Sequence, residues 1–129
     1  MDNKFSKSWI NMRADYDNNS RSTVLIDHLS KISQEHDITL LDLYCGSGNF
    51  LLWSFDKNIL FNKCILVDND IKLLKSIKSN LRTHLRSIYE FQSNTNNLDL
   101  LIKKKFKTVS SVSIKKNNCD DYIYSSEKY

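Results

Sequence analysis

Both glycines of this 129-residue chain lie in one triplet, Gly46-Ser47-Gly48. The triplet directly follows residues 38–44, a nearly continuous apolar run that is typical of a strand buried on both faces of a parallel sheet. Glycine tolerates a positive φ and lets a ligand approach the main chain where a Cβ would collide. In a chain with no other glycine, this placement predicts a strand-to-helix turn that contacts a ligand. A tight turn without a ligand is the alternative.

An acidic residue follows the second apolar run of the chain. Residues 64–67 are predicted to form a buried strand, and Asp68 comes directly after it, 20 residues beyond Gly48. An ionised carboxylate only accepts hydrogen bonds, so it can hold both hydroxyl groups of a ribose, and nucleotide sites use an acid at about this spacing. The alternative is that Asp68 only caps the helix that begins at Ile71.

The apolar spacing along the chain predicts helices and strands in alternation. A first helix begins at a cap at Asn19 or Ser20, ends before His36, and has an apolar face made of Val24, Leu25, Leu29 and Ile32. After the first strand come a helix over residues 49–55, the second strand, a helix over 71–86, a strand over 87–91, a helical face with Leu98, Leu101, Ile102 and Phe106, and a strand over 109–114. This order predicts an α/β fold with a doubly wound, mostly parallel sheet, whose ligands bind beyond the carboxyl ends of the strands.

The residues around the turn exclude two common nucleotide motifs. A dinucleotide-binding GxGxxG motif would need a third glycine where this chain has Leu51, and no segment matches the phosphate-binding GxxxxGK[ST] motif. A turn that cradles a phosphate group is therefore disfavoured.

Charge is divided unevenly along the chain. Residues 1–70 carry seven basic and ten acidic side chains, whereas residues 71–129 carry twelve and five. A basic second half favours an anionic partner such as RNA, and a solvated basic surface is the alternative.

The cysteines and the apolar runs bear on the compartment. Cys45, Cys64 and Cys119 are an odd number without CxxC spacing, which argues against a disulfide framework and against a zinc site. No apolar run reaches the roughly 18 residues of a membrane span, and the first residues lack the apolar core of a signal peptide. We therefore expect a cytoplasmic protein without a membrane partner, in which Cys45 fills space rather than acting as a nucleophile.

The turn and its flanks resemble a known family. Residues 41–50 (LDLYCGSGNF) are similar to the first motif of class I S-adenosylmethionine-dependent methyltransferases, and residues 65–70 (ILVDND) to their second. Residues 9–13 and 19–22 resemble the N-terminal segment of a bacterial subgroup, and residues 43–50 also resemble uracil-5 RNA methyltransferases. The resemblance extends over residues 9–81 and implies a Rossmann-like core that binds S-adenosylmethionine.

The resemblance also implies a role for each matching residue. Gly46 and Gly48 would line the methionine and ribose portions of the cofactor, and Asp42 would orient its amino group. Asp68 would hold the ribose hydroxyls, and Asn69 would flank the adenine.

Three further residues belong to this expected site or its border. Tyr44 stands in the first loop where family members usually have glycine, so it narrows the loop. Arg21, together with Arg13, would meet the cofactor carboxylate from an N-terminal lid, and a surface arginine at a helix start is the alternative.

The resemblance covers only the N-terminal part of the family fold, whose sheet has further strands. We expect one S-adenosylmethionine-binding domain over residues 1–129, with a helical segment at 1–37, the cofactor-binding core at 38–86 and an incomplete remainder at 87–129. An unpaired sheet edge then predicts association with further copies or with a complementing chain.

The sequence assigns no catalytic residue, no metal ligand and no methyl acceptor. The three histidines lie in predicted helices or at their ends, and without proline the Asn-Pro-Pro-Tyr type motif of amino-methylating members is absent. The leading hypothesis is a methyltransferase or its cofactor-binding half, with RNA as one candidate acceptor. The alternatives are a non-catalytic S-adenosylmethionine- or nucleoside-binding remnant or partner subunit, and a different Rossmann-like nucleotide binder.

Overall fold

The computed structural model describes residues 7–126 of the chain. In chain order they form α1 (Lys7–Asn19), α2 (Thr23–Glu35), β1 (Thr39–Leu43), α3 (Asn49–Asp56), β2 (Lys63–Asp68), α4 (Ile71–Leu85), β3 (Glu90–Ser93), β4 (Leu100–Lys104), β5 (Lys107–Lys116) and α5 (Cys119–Ser126). In this part of the chain, no helix combines the length and the apolar composition needed to cross a bilayer.

The five strands of the described residues form one sheet in the order β1-β2-β5-β4-β3. β1 pairs in parallel with β2, and β2 in parallel with β5, so that Asp42 lies opposite Leu66 and Leu66 opposite Ile114. The pairs β5–β4 and β4–β3 are antiparallel, because short connections can only join antiparallel neighbours. The α/β class is confirmed, while the sheet is parallel only among the strands β1, β2 and β5.

β1, β2 and β5 end at one edge of the sheet, which we call the loop edge. It consists of the connections that follow these strands, residues 44–49, 68–70 and 117–121. The sequence predicted this convergence for the first two connections, since the carboxyl ends of parallel neighbours meet at the same edge.

The hydrophobic core lies on one face of the sheet. The strand residues of this face are buried at 6% exposure or less, and they are Cys64, Leu66, Leu100, Ile102, Val112 and Ile114. Side chains of α2, α3 and α4 pack onto them, including Leu29, Leu51 and Ile77. On the opposite face Leu41 is 46% exposed, so the described helices cover the two faces unequally.

The predicted helical face over residues 98–106 is wrong. Residues 100–104 form β4. Leu100 and Ile102 are buried on the core side of this strand, whereas Leu101 and Lys103 between and after them are only half-buried. A two-residue turn at Lys105 and Phe106, both with positive φ (51° and 69°), joins β4 to β5. Apolar residues at 98, 101, 102 and 106 fit helical spacing by coincidence, because Phe106 is at the tip of the turn and 88% exposed.

The first predicted helix is present, with two corrections. Ser22 rather than Asn19 or Ser20 is its cap, and its side chain accepts a hydrogen bond from the Leu25 amide. Val24 and Leu25, which the spacing predicted to be core residues, are 76% and 62% exposed. They lie in the first turn of α2, while Ile26 and Leu29 pack against the core.

Candidate functional site

The glycine turn connects β1 to α3 and has a left-handed backbone at both glycines. Gly46 has φ 58° and Gly48 has φ 84°, conformations that residues with a Cβ rarely adopt. A Cβ at Gly48 would lie 3.2 Å from Cγ2 of Ile77 in α4. Packing of α4 on the turn therefore accounts for Gly48 without a ligand, and the left-handed φ accounts for Gly46.

Tyr44 shares the left-handed conformation of the turn, with φ 59°. Its main-chain N–H donates to Sγ of Cys119, 3.3 Å away, and its side chain is 70% exposed. The negative charge of Asp120, which also hydrogen bonds the phenol, raises the Tyr44 pKa above its ordinary value. The glycine-like backbone at this position is thus kept by a tyrosine that faces solvent and contacts the start of α5.

Asp68 joins the two loops that the sequence predicted to meet. Its Oδ2 accepts a hydrogen bond from the Gly46 N–H at 2.9 Å, and its Oδ1 accepts one from the Asp70 N–H at 2.9 Å. The residue is only 8% exposed. The cap of α4 is Asp70, whose Oδ1 accepts from the Lys72 N–H at 3.1 Å. Asp68 therefore does not act as the helix cap.

Asp42 lies in β1, beside the loop edge, and no hydrogen bond to it is found among the residues whose side chains the structure describes. Burial is the largest influence on its pKa, which is raised from 3.8 to about 6. The positive charge of Arg21 lowers that pKa and the negative charge of Asp68 raises it, so both groups lie within electrostatic range. A desolvated carboxylate without a hydrogen-bond partner near the carboxyl end of a strand is a typical feature of a binding site.

Arg21 is brought to the site from the junction between α1 and α2. Its guanidinium carbon lies 4.5 Å from the ring centroid of Trp53 and 5.2 Å from that of Phe50. It also donates a hydrogen bond to Asn18 Oδ1, which accepts a second one from Asn49 Nδ2 at 3.1 Å. The N-terminal helices are thus attached to the first turn of α3 through Arg21 and Asn18.

Two other predicted residues lie apart from these contacts. Arg13 pairs with Asp17 at 3.4 Å and lies over the Trp9 ring at 5.2 Å, so its contacts are within α1 rather than with Arg21 at the site. Asn69 is at the loop edge between Asp68 and Asp70, and it is exposed. It is free to contact a ligand there, but its position alone assigns it no role.

The structure adds two residues that no sequence pattern selects. Cys119 accepts from the Tyr44 amide across 75 residues of chain and ties α5 to the loop edge. Trp53 is 4% exposed, and its Nε1 is the one buried side-chain polar atom in the described part of the chain without a hydrogen-bond partner. The stacking of Arg21 on Trp53 has no local signal in the sequence, because it joins residues from separate helical segments.

The three thiols do not have the properties of nucleophiles. Burial raises the pKa of Cys45 and of Cys119, and it raises that of Cys64 to about 11. Each therefore stays protonated near neutral pH, which agrees with the predicted role of Cys45 as a buried filler.

Two cavities are found away from the loop edge. One of about 300 Å³ lies over β3, β4 and β5, and the other of about 410 Å³ lies beside the end of α4.

Among residues 7–126, no group of three or more histidine, cysteine or acidic side chains is arranged to hold a metal ion. Comparison with protein-family models and with curated proteins finds no match for this chain.

Proposed function

We propose that the loop edge binds S-adenosylmethionine and that the chain is a class I methyltransferase or its cofactor-binding half. The observation that carries the proposal is the 2.9 Å hydrogen bond between Asp68 and the Gly46 amide. This hydrogen bond joins an acidic residue to a glycine with a left-handed backbone. The two residues lie at the carboxyl ends of neighbouring parallel strands, at the loop edge. The parallel β1–α3–β2–α4 unit supports a Rossmann-like arrangement for this part.

The residues at the loop edge fit the polar groups of this cofactor. Each oxygen of Asp68 accepts one hydrogen bond from the main chain and keeps a lone pair for a ribose hydroxyl. Asp42 has no hydrogen-bonding partner in the described residues and suits an ammonium group. Arg21, held against Trp53 and Phe50, supplies a positive charge for a carboxylate. Asp42 and Arg21 are thus opposite in charge to the ammonium and the carboxylate of the cofactor, and Asp68 offers acceptors to its ribose hydroxyls.

The contribution of the chain to methyl transfer is binding and orientation. S-adenosylmethionine supplies a sulfonium methyl group, and transfer requires chiefly that an acceptor is held in line with it. Asp42, Asp68 and the glycine turn would fix the cofactor on the sheet side. The exposed Tyr44 would border the turn where an acceptor approaches.

The test is a thermal-shift titration of the chain with S-adenosylmethionine, S-adenosylhomocysteine, NAD and ATP. The first two ligands are expected to raise the melting temperature by several degrees, because a ligand at 100 times its Kd stabilises by about 2.7 kcal/mol. NAD and ATP are expected to have no effect. A shift with NAD alone would contradict the proposal and favour a different Rossmann-like nucleotide binder.

A second measurement separates an enzyme from a binding remnant. The chain is incubated with radiolabelled S-adenosylmethionine and pooled RNA, protein and small-molecule acceptors. Binding with transfer supports a methyltransferase, and transfer to the RNA pool supports the RNA methyltransferase alternative. Binding without transfer to any pool supports the non-catalytic remnant or partner subunit.

A further inference from the structure

The outward side of α4 is basic along its whole length. Residues 71–89 contain no Asp or Glu. Their lysines and arginines recur every three or four residues and so form one stripe on the helix, made of Lys72, Lys75, Lys78, Arg82 and Arg86. All of them except the half-buried Lys78 are exposed. The stripe runs from the loop edge to the opposite end of the sheet.

The turn between β4 and β5 adds further positive charge at that opposite end. Residues 103–107 read KKKFK, with Phe106 at the tip. Phe106 is 88% exposed and has φ 69°, and Lys105 has φ 51°. A two-residue turn of this type favours Asn and Gly, so an exposed aromatic residue there is unfavourable for folding on two counts. Such a residue is better explained by contact with a partner.

The basic stripe and the turn meet at a recess of about 410 Å³. Its lining consists of Arg82, Thr83, Arg86, Tyr89, Glu90 and Phe91. Nζ of Lys104 lies 6.0 Å from the centroid of the Tyr89 ring, so the turn borders the recess directly. Among the residues whose side chains the structure describes, the one ion pair joins Arg13 and Asp17, and Glu90 therefore forms no ion pair with the arginines beside it. We call the recess and the turn the basic end.

Unpaired cations beside accessible aromatic rings are the chemistry that binds single-stranded nucleic acid. Lysine and arginine follow the phosphates, and aromatic side chains stack on bases that a duplex would keep hidden. We propose that the basic end binds single-stranded nucleic acid, with phosphates along Arg82, Arg86 and the turn and with bases against Tyr89 and Phe106. This goes beyond the proposed function and does not depend on it, since the basic end and the glycine turn lie at opposite ends of the sheet.

The test is fluorescence anisotropy with labelled oligouridylate over a series of salt concentrations. The unmodified chain is expected to bind saturably at low salt. The double variant Arg82→Glu/Arg86→Glu is expected to bind at least tenfold more weakly, with a salt slope smaller by about 1.4, because each phosphate contact to a single strand contributes about 0.7. The matched control is Lys115→Glu/Lys116→Glu, which changes the same charge at exposed residues near the loop edge and should stay within twofold.

The aromatic part of the proposal has its own variants. Phe106→Ala is expected to weaken binding at least fivefold without changing the salt slope, and Phe106→Trp is expected to retain it. Tyr89 is left intact, because its ring packs against Phe55 with centroids 5.0 Å apart and a change there would disturb the core. Thermal melts of all variants check that each is folded.

Each outcome decides for or against the proposal. Preference for oligouridylate over oligothymidylate assigns RNA, and equal affinity assigns single strands of either sugar. The proposal is overturned by an absence of saturable binding, by an equal loss in the two charge-reversal variants, or by equal affinity for a duplex of the same length. Displacement by polyglutamate as effective as that by unlabelled oligouridylate would instead assign an acidic protein segment as the partner.

Discussion

At the loop edge the acidic side chains accept hydrogen bonds from main-chain amides, whereas at the basic end the lysine and arginine side chains extend into solvent. Asp68 is 8% exposed and accepts from two amides, while Phe106 at the other end is 88% exposed. The left-handed positions differ as well, since two of the three at the loop edge are glycines, beside Tyr44, whereas Lys105 and Phe106 occupy those at the basic end. The difference accords with our proposals of a compact polar ligand for the loop edge and an extended, charged one for the basic end.

The largest expected effect is that of Asp68→Ala, which should change the properties of the loop edge and leave the basic end unaffected. Asp68→Ala leaves the buried amides of Gly46 and Asp70 without their acceptor, so we expect a loss of about 2–3 kcal/mol in the free energy of unfolding. S-adenosylmethionine binding should weaken by a further 1.5–3 kcal/mol, roughly the contribution of hydrogen bonds to a charged group. Urea denaturation and calorimetry measure the two effects, and binding at the basic end should not change.

The neighbouring cap gives the control for this variant. Asp70→Ala removes the acceptor for the Lys72 amide and should lower stability by about 1 kcal/mol without a separate effect on cofactor affinity. If Asp68→Ala lowered stability but left cofactor affinity unchanged, the role of Asp68 would be confined to joining the two loops.

The next effect is a pH dependence that only the loop edge should show. The Asp42 pKa rises from 3.8 to about 6 on folding, so the folded chain holds a proton that the unfolded chain has lost between these pH values. The associated stability is complete below pH 3.8 and disappears as the pH rises through about 6. Asp42→Asn should therefore be more stable than the natural chain above pH 6, by about 1–2 kcal/mol given the partial exposure of the carboxyl.

Cofactor binding should depend on pH in the opposite sense. An ionised Asp42 attracts the cofactor ammonium, so the affinity is expected to fall as the pH drops through about 6. Asp42→Asn should bind weakly at every pH, without this transition. Calorimetric titrations between pH 5 and 8 measure both curves, and an identical transition in the variant would assign it to another group.

The smallest effect concerns the turn of the basic end. Replacing Lys105 by Asn and Phe106 by Gly supplies the residues that a two-residue turn with positive φ favours, so unfolding should require about 1 kcal/mol more free energy. Denaturant midpoints provide the measurement. Phe106→Ala alone keeps a Cβ at φ 69° and should not stabilise, and a gain of the same size there would indicate that exposure of the ring rather than the backbone is responsible.

Prediction from the sequence was accurate where elements are defined by local patterns. The strands around residues 39–43 and 63–68 and the helix Ile71–Leu85 lie within two residues of their predicted ends, because each has a strong apolar pattern and a turn or cap beside it. Beyond residue 86 the pattern is ambiguous. The apolar pair Leu101 and Ile102 fits a helix or a strand equally well, and only the pairing with β5 makes this segment a strand.

The candidate site divides in the same way. The proximity of Gly46 and Asp68 follows from two neighbouring parallel strands and could be predicted. The contact between Tyr44 and Cys119 could not, because it joins residues 75 positions apart and depends on where α5 begins. The stacking of Arg21 on Trp53 likewise depends on how α2 docks, for which the sequence has no local signal.

The three buried thiols give the molecule built-in reporters of local opening. Cys45 lies in the glycine turn, Cys64 near the start of β2 and Cys119 at the start of α5, with exposures of 8%, 0% and 2%. Since each is shielded and protonated in the closed state, an alkylating reagent can modify it only when its own segment opens. The alkylation rates of Cys119, Cys45 and Cys64 thus report separately on the undocking of α5, the fluctuation of the turn and the opening of the sheet at β2. No label has to be introduced into the natural chain.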